Sequence, residues 1–142
     1  MVTQFGIHIK VKDINRSLEF YRAFHLKPDF AYGDNTFRTK FREIQTAPEK
    51  YRGVIFNISG ALLEIAEGHI AVKPKVFRET IKSSKISAML HVKSVKTIVN
   101  ICKERGFKIA AQPRVFPWGT KEVVVKDPDG FILVFIEKLS KN

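Results

Sequence analysis

Near the start of the chain, apolar and polar residues alternate. Phe5, Ile7, Ile9 and Val11 are apolar, while Gly6, His8 and Lys10 between them are not. A period of two predicts a half-buried strand. Asp13 then stands at a helix N-cap position, and Ile14, Leu18, Tyr21 and Phe24 recur at helical spacing. That spacing predicts a helix over residues 14–25 with one apolar stripe. The succession returns later. Ile86, Ala88, Leu90 and Val92 alternate with Ser87, Met89 and His91; Ser94 takes the cap, and Val95, Ile98, Val99 and Cys102 form the stripe. Gly106 is placed as a C-cap glycine. Three short apolar runs follow each helix, near 29–33, 53–58 and 61–67 and near 107–111, 121–126 and 131–137. Ser59-Gly60 and Asp127-Pro128-Asp129-Gly130 provide turns between them.

The two halves are therefore copies of one β-α-β-β-β unit. Gly60–Glu67 reads GALLEIAE and Gly130–Glu137 reads GFILVFIE, so Gly60 meets Gly130, Leu63 meets Leu133 and Glu67 meets Glu137. Glu64 meets Val134, and the copies part there. The fold class expected is α+β, with modules at about 4–67 and 86–139 and a linker over 68–85. The polar stretch 34–52 lengthens the first module, and a short helix is expected around Val76–Ile81 in the linker. Two such modules make a curved mixed sheet around a cleft, with helices on the outer faces. Alternation then turns Gly6, His8, Lys10, Glu64, Ser87, Met89, His91 and Val134 toward the cleft.

Composition narrows the class. A chain of 142 residues that is 44% hydrophobic, with 12 phenylalanines, can bury a core as one domain. The single cysteine, Cys102, excludes an intrachain disulfide, fits a reducing compartment, and is read as core because it lies on an apolar stripe. No apolar run approaches a membrane span, and MVTQFGIHIK lacks a signal-peptide core, so a cytoplasmic protein is expected. The net charge of +11 is lopsided. Residues 1–70 carry 10 basic against 8 acidic side chains, and residues 71–142 carry 15 against 6. Such a field favours anionic partners. Nucleic acid is one of these, but the basic residues are scattered, without the aromatic-basic interleaving of RNA-recognition modules.

Three stretches carry a resemblance. Val11-Lys12-Asp13-Ile14 through Ser17-Leu18-Glu19-Phe20-Tyr21, Pro117-Trp118-Gly119-Thr120, and Asp127-Pro128-Asp129-Gly130 resemble signatures of the vicinal-oxygen-chelate superfamily. That superfamily comprises glyoxalase I, bleomycin- and fosfomycin-resistance proteins and extradiol dioxygenases, and the internal duplication is one of its traits. The resemblance implies a homodimer and, for its enzymes, a divalent metal held by up to four ligands from four cleft strands. Carried over position by position, those ligands fall on Gly6, Glu64, Ser87 and Val134. Glycine and valine offer no side-chain donor and serine a weak one, so the inherited metal site is expected to be lost. His8 lies two residues from the family position, about 6.6 Å along a strand, and His91 four residues away, about 13 Å. Glu137 points to the opposite face from Val134. A relocated metal site using His8 and Glu64 is the alternative.

The candidate residues each carry two readings. Glu64 is a general base or ligand anchor, or else a carboxylate paired with a nearby Lys or Arg. His8 and His91 bind ligand or are hydrogen-bonded strand residues. Trp118 is an aromatic wall or a plug in the hairpin core. Lys10, Lys121 and Arg38 bring positive charge to the cleft or are ordinary surface cations. His25, at the helix end, and His69, in the linker, are assigned no function. The function expected is metal-independent binding of a small molecule, one that the basic balance makes anionic, in a cleft formed by His8, Lys10, Glu64, Ser87, Met89, His91 and Trp118. Bleomycin itself, a cation, does not suit so basic a chain. The first alternative is a glyoxalase-I-like lyase or isomerase with Glu64 as its catalytic base and nickel, zinc or manganese as cofactor. The second is nucleic-acid binding through the basic second half.

Overall fold

The computed structural model describes residues 1–68 and 86–140. The helix expected around Val76–Ile81, His69 and most of the linker lie outside the described residues. The chain divides into two compact units, which carry these two described stretches. The architecture is α+β, with one mixed sheet in each unit.

The first unit runs β1 (Gly6–Lys10), α1 (Ile14–Ala23), β2 (Pro28–Gly33), α2 (Asn35–Arg38), β3 (Gln45–Pro48), β4 (Gly53–Ile58) and β5 (Ala61–Ala66). Its strands lie in the order β1-β5-β4-β2-β3. β1 and β5, first and last in the unit, pair in parallel, while β5, β4 and β2 are antiparallel neighbours. Alternation is what lets one face be covered. Ile9, Val54, Phe56, Leu63 and Ile65 point toward α1, whose Ile14, Leu18, Phe20 and Tyr21 are buried. The rings of Tyr21 and Phe56 meet across that layer at 5.9 Å. α1 ends earlier than its apolar spacing predicts, because His25 turns left-handed with φ 63° just beyond Phe24.

The second unit runs β6 (Ser87–Val92), α3 (Val95–Arg105), β7 (Ile109–Phe116), β8 (Thr120–Lys126) and β9 (Ile132–Lys138), in the order β6-β9-β8-β7. The parallel pairing of first and last strands recurs in β6 and β9. Gly106 adopts φ 70° after α3, the left-handed C-cap its sequence position predicts. Strand β7 outruns the expected 107–111. It continues through Pro113 to Phe116 because it is an edge strand, where the missing N–H of proline breaks no ladder on its outer side.

The repeat is also a repeat of anchoring. Glu67 Oε1 accepts from the backbone N–H of Ile14, the first residue of α1, at 3.3 Å. Its counterpart Glu137 accepts through Oε2 from the N–H of Val95, the first residue of α3, at 2.7 Å. Those amides have no partner inside the helix, and the carboxylates also suit the positive helix end. The side chains of Asp13 and Ser94 cap the following amides, as expected. In the first copy Arg52 adds an ion pair to Glu67, with Nε at 2.9 Å from Oε2.

The stretch 34–52 is more than a lengthened connection. Asp34 Oδ1 accepts from the N–H of Phe37 at 2.8 Å and starts α2, and Phe37 and Phe41 are buried edge to face at 5.2 Å. β3 then joins the sheet edge in parallel with β2.

Candidate functional site

The face of the first sheet turned away from α1 carries the candidate residues His8, Lys10 and Glu64. Cross-strand pairing lines its residues into rows. One row runs Gln45, Phe30, Ile55, Glu64, His8, from β3 across β2, β4 and β5 to β1. The next runs Ala47, Tyr32, Gly53, Ala66, Lys10. Glu64 thus sits beside His8 on one side and Ile55 on the other.

Tyr32 joins the two rows. Its hydroxyl donates to Glu64 Oε1 at 2.6 Å, although Glu64 lies two strands away and one row over. The ring reaches that far by lying across Gly53, where any Cβ would collide with the phenol. Glycine at this strand position is a close-approach residue, not a turn residue. Tyr32 is buried. Burial, with the Glu64 hydrogen bond and the nearby charges of Glu64 and Glu49, holds its phenol well above the ordinary tyrosine range. It therefore stays a neutral donor and fixes the direction of the Glu64 carboxylate.

Above this pair lies a pocket of about 300 Å³, lined by Phe30, Tyr32, Ala47, Pro48, Glu49, Ile55 and Glu64. Phe30 and Tyr32 stand 6.4 Å apart, centroid to centroid, tilted by 43°. β3 and the residue after it supply Ala47, Pro48 and Glu49, and the N–H of Glu49 is fixed to the Gly33 carbonyl at 3.1 Å. An apolar and aromatic wall with a few oriented polar groups has the make-up of a small-molecule site.

The expected site residues fall into two sets. His8, Lys10 and Glu64 share the far face of the first sheet, with His8 and Lys10 exposed and Glu64 half-buried. The partner that orients Glu64 is the Tyr32 hydroxyl, where a Lys or Arg was one expectation. Ser87, Met89 and His91 lie on β6 of the second unit, opposite Ile132, Val134 and Ile136 of β9, and all three are exposed. Trp118 is 68% exposed, which removes the hairpin-plug reading. It stacks on Phe116 at 4.6 Å and 13°, and its Nε1–H donates to Glu122 at 3.2 Å. Lys121 lies on β8, and Arg38 donates through Nε to the Gly33 carbonyl. Neither these two nor Lys10 lines the pocket. Cys102 is buried, as expected, and burial pushes its thiol up to about 11.

The residues at the four carried-over metal positions do not fit a divalent cation. Gly6 and Val134 have no side-chain donor atom, which leaves Glu64 and the weak donor Ser87. Among the described residues, no group of three or more His, Cys, Asp or Glu side chains is placed to hold a metal ion.

Sequence reading missed Tyr32, Gly53, Phe30, Ile55 and the 47–49 segment. Part of the signal was present. Phe30 and Tyr32 are two apart on one strand, and Gly53 heads an apolar run, which marks a close backbone approach. Nothing local paired Tyr32 with Glu64, 32 positions further along the chain.

Comparison with known proteins identifies the family and the fold. The family model of the Glyoxalase/Bleomycin resistance protein/Dioxygenase superfamily matches residues 4–135. No curated protein matches the sequence significantly. Among solved structures, a member of that superfamily from Sphaerobacter thermophilus is similar at 19% identity and TM-score 0.62, covering 97% of this chain and 98% of its own. A genomically encoded fosfomycin resistance protein from Listeria monocytogenes is similar at 15% identity and TM-score 0.64, over 97% and 93%. A glyoxalase I variant from Zea mays is similar at 15% identity and TM-score 0.65, over 96% of this chain and 46% of that one. Likeness at these identities is likeness of fold.

Proposed function

The chain belongs to the glyoxalase/bleomycin resistance protein/dioxygenase superfamily, and from that membership we propose that it binds a small molecule without a metal, in the first-unit pocket. The observation that carries this reading is the Tyr32–Glu64 hydrogen bond at the pocket wall. A carboxylate directed by a buried phenol is a preorganised anchor, and its surroundings of Phe30, Ile55, Ala47 and Pro48 supply apolar contact. Sequestration needs no more than this. By resemblance to the family the proposed assembly is a homodimer, and the lone cysteine suits the reducing cytoplasm.

A thermal-shift screen of small molecules tests the reading. A ligand of the pocket raises the melting temperature with concentration. That shift is expected to disappear in Ile55→Trp, whose larger side chain fills the pocket. Hits that are indifferent to Ile55→Trp, or a screen without hits, would refute it.

A second reading, a glyoxalase-like enzyme with a rearranged metal site, draws on the side-by-side placement of His8 and Glu64. Metal analysis of protein purified without chelators separates the two. Stoichiometric nickel, zinc or manganese that is lost in Glu64→Ala would replace the metal-free reading.

A further inference from the structure

Resting on that binding reading, we propose that the first-unit pocket selects a small organic cation, an alkyl or quaternary ammonium. The charge is opposite to the one the chain's net +11 suggests.

The argument is a donor and acceptor census of the lining. Phe30, Ala47, Pro48 and Ile55 have no polar side-chain atom. Pro48 also lacks a backbone N–H. The N–H of Glu49 is spent on the Gly33 carbonyl, and Ile55 lies within the β4 ladder between β2 and β5. The one side-chain donor among the described residues of the wall, the Tyr32 hydroxyl, is spent on Glu64. What the described wall offers a ligand are chiefly acceptors, the carboxylates of Glu64 and of Glu49, whose Oε1 also accepts from the Lys50 N–H at 2.8 Å. Among the described residues, no Lys, Arg or His lines the pocket. An anion entering here would meet two carboxylates and no cationic side chain among the described lining residues. An ammonium would find both carboxylates, together with two aromatic rings of the lining, Phe30 and Tyr32, 6.4 Å apart, whose quadrupoles attract cations.

The chain's many lysines do not decide the matter. Even Lys50, next to the lining residue Glu49, is exposed, and exposed charges are screened at ordinary ionic strength, while the lining carboxylates touch the ligand. The pocket of about 300 Å³ is at the small end for ligand sites, so the cation is small too.

Three probes of one shape and different charge test this: choline, its uncharged carbon isostere dimethylbutanol, and the anionic dimethylbutyrate. Each is titrated into the protein while the methyl resonances of Ile55 are followed by NMR. Choline is expected to shift them, dimethylbutanol to bind about tenfold more weakly or less, and dimethylbutyrate not to bind. Glu64→Gln should weaken choline about tenfold and leave dimethylbutanol unchanged. Glu49→Gln, on the pocket rim, gives the same comparison should Glu64→Gln unfold. Dimethylbutanol or dimethylbutyrate binding as tightly as choline would overturn the cation while leaving pocket binding intact. Silence from all three probes at Ile55 also overturns it. Only failure of the wider ligand screen as well would take the binding reading with it.

Discussion

Tyr32 occupies the space that a side chain on Gly53 would need, and only because Gly53 has none can its hydroxyl reach Glu64. Gly53→Ala therefore forces the phenol away from its place. The expected cost is about 1–3 kcal/mol, as for overpacking elsewhere, read from chemical denaturation. In the Tyr32→Ala background the obstruction is absent, and the same substitution should be nearly neutral. A double-mutant cycle without coupling between these two positions would contradict the geometry.

Removing only the hydroxyl is a different experiment. Tyr32→Phe keeps the ring over Gly53 but leaves Glu64 without its donor, at a cost of about 1–2 kcal/mol. The pH dependence follows from the raised phenol. Folding holds the proton on Tyr32 more tightly than the unfolded chain does. Its contribution is thus full below the ordinary tyrosine value of about 10 and declines as pH rises beyond it. Wild-type protein should lose stability above that pH more steeply than Tyr32→Phe, as measured by denaturant midpoints across the alkaline range.

Glu137→Ala strips the first amide of α3 of its acceptor, and Glu67→Ala does the same for α1. Each should cost about 0.5–2 kcal/mol, the range for a lost N-terminal cap. Glu67→Ala also frees Arg52, but that pair is partly exposed and adds little. Faster hydrogen exchange confined to the Val95 or Ile14 end of the helix would identify the cause.

Cys102, buried and with its thiol pushed up to about 11, should resist alkylation in the native state. Mass spectrometry after iodoacetamide treatment should show labelling only when denaturant is present. Labelling of folded protein would mean that α3 opens from its sheet.

The fold was legible because its signals are local and occur twice. Asp13 and Ser94 both cap as their positions predict, and Ser59 and Gly60 both take positive φ in the β4–β5 turn. What was illegible rests on pairings across the sheet. β3 has four residues, too few for periodicity to declare, and forms by adding to the β2 edge. Phe37 and Phe41, four apart, were the one local hint that 34–52 holds a helical turn. Glu64 stood out in the sequence because Val134 replaces it in the second copy. Its partner did not, because Tyr32 reaches it diagonally over a glycine, and no spacing encodes that.

The paired carboxylates Glu67 and Glu137 bear on the order in which a growing chain can become native. Ile14 waits for a partner 53 residues further on, and Val95 for one 42 residues further on. On the ribosome, α1 emerges long before β5 and must spend that interval with its first amide open to water. The strand that completes each sheet thus also finishes a helix made well before it. A nascent chain arrested just short of Glu67 should hold a frayed α1, and one extended past it a closed one.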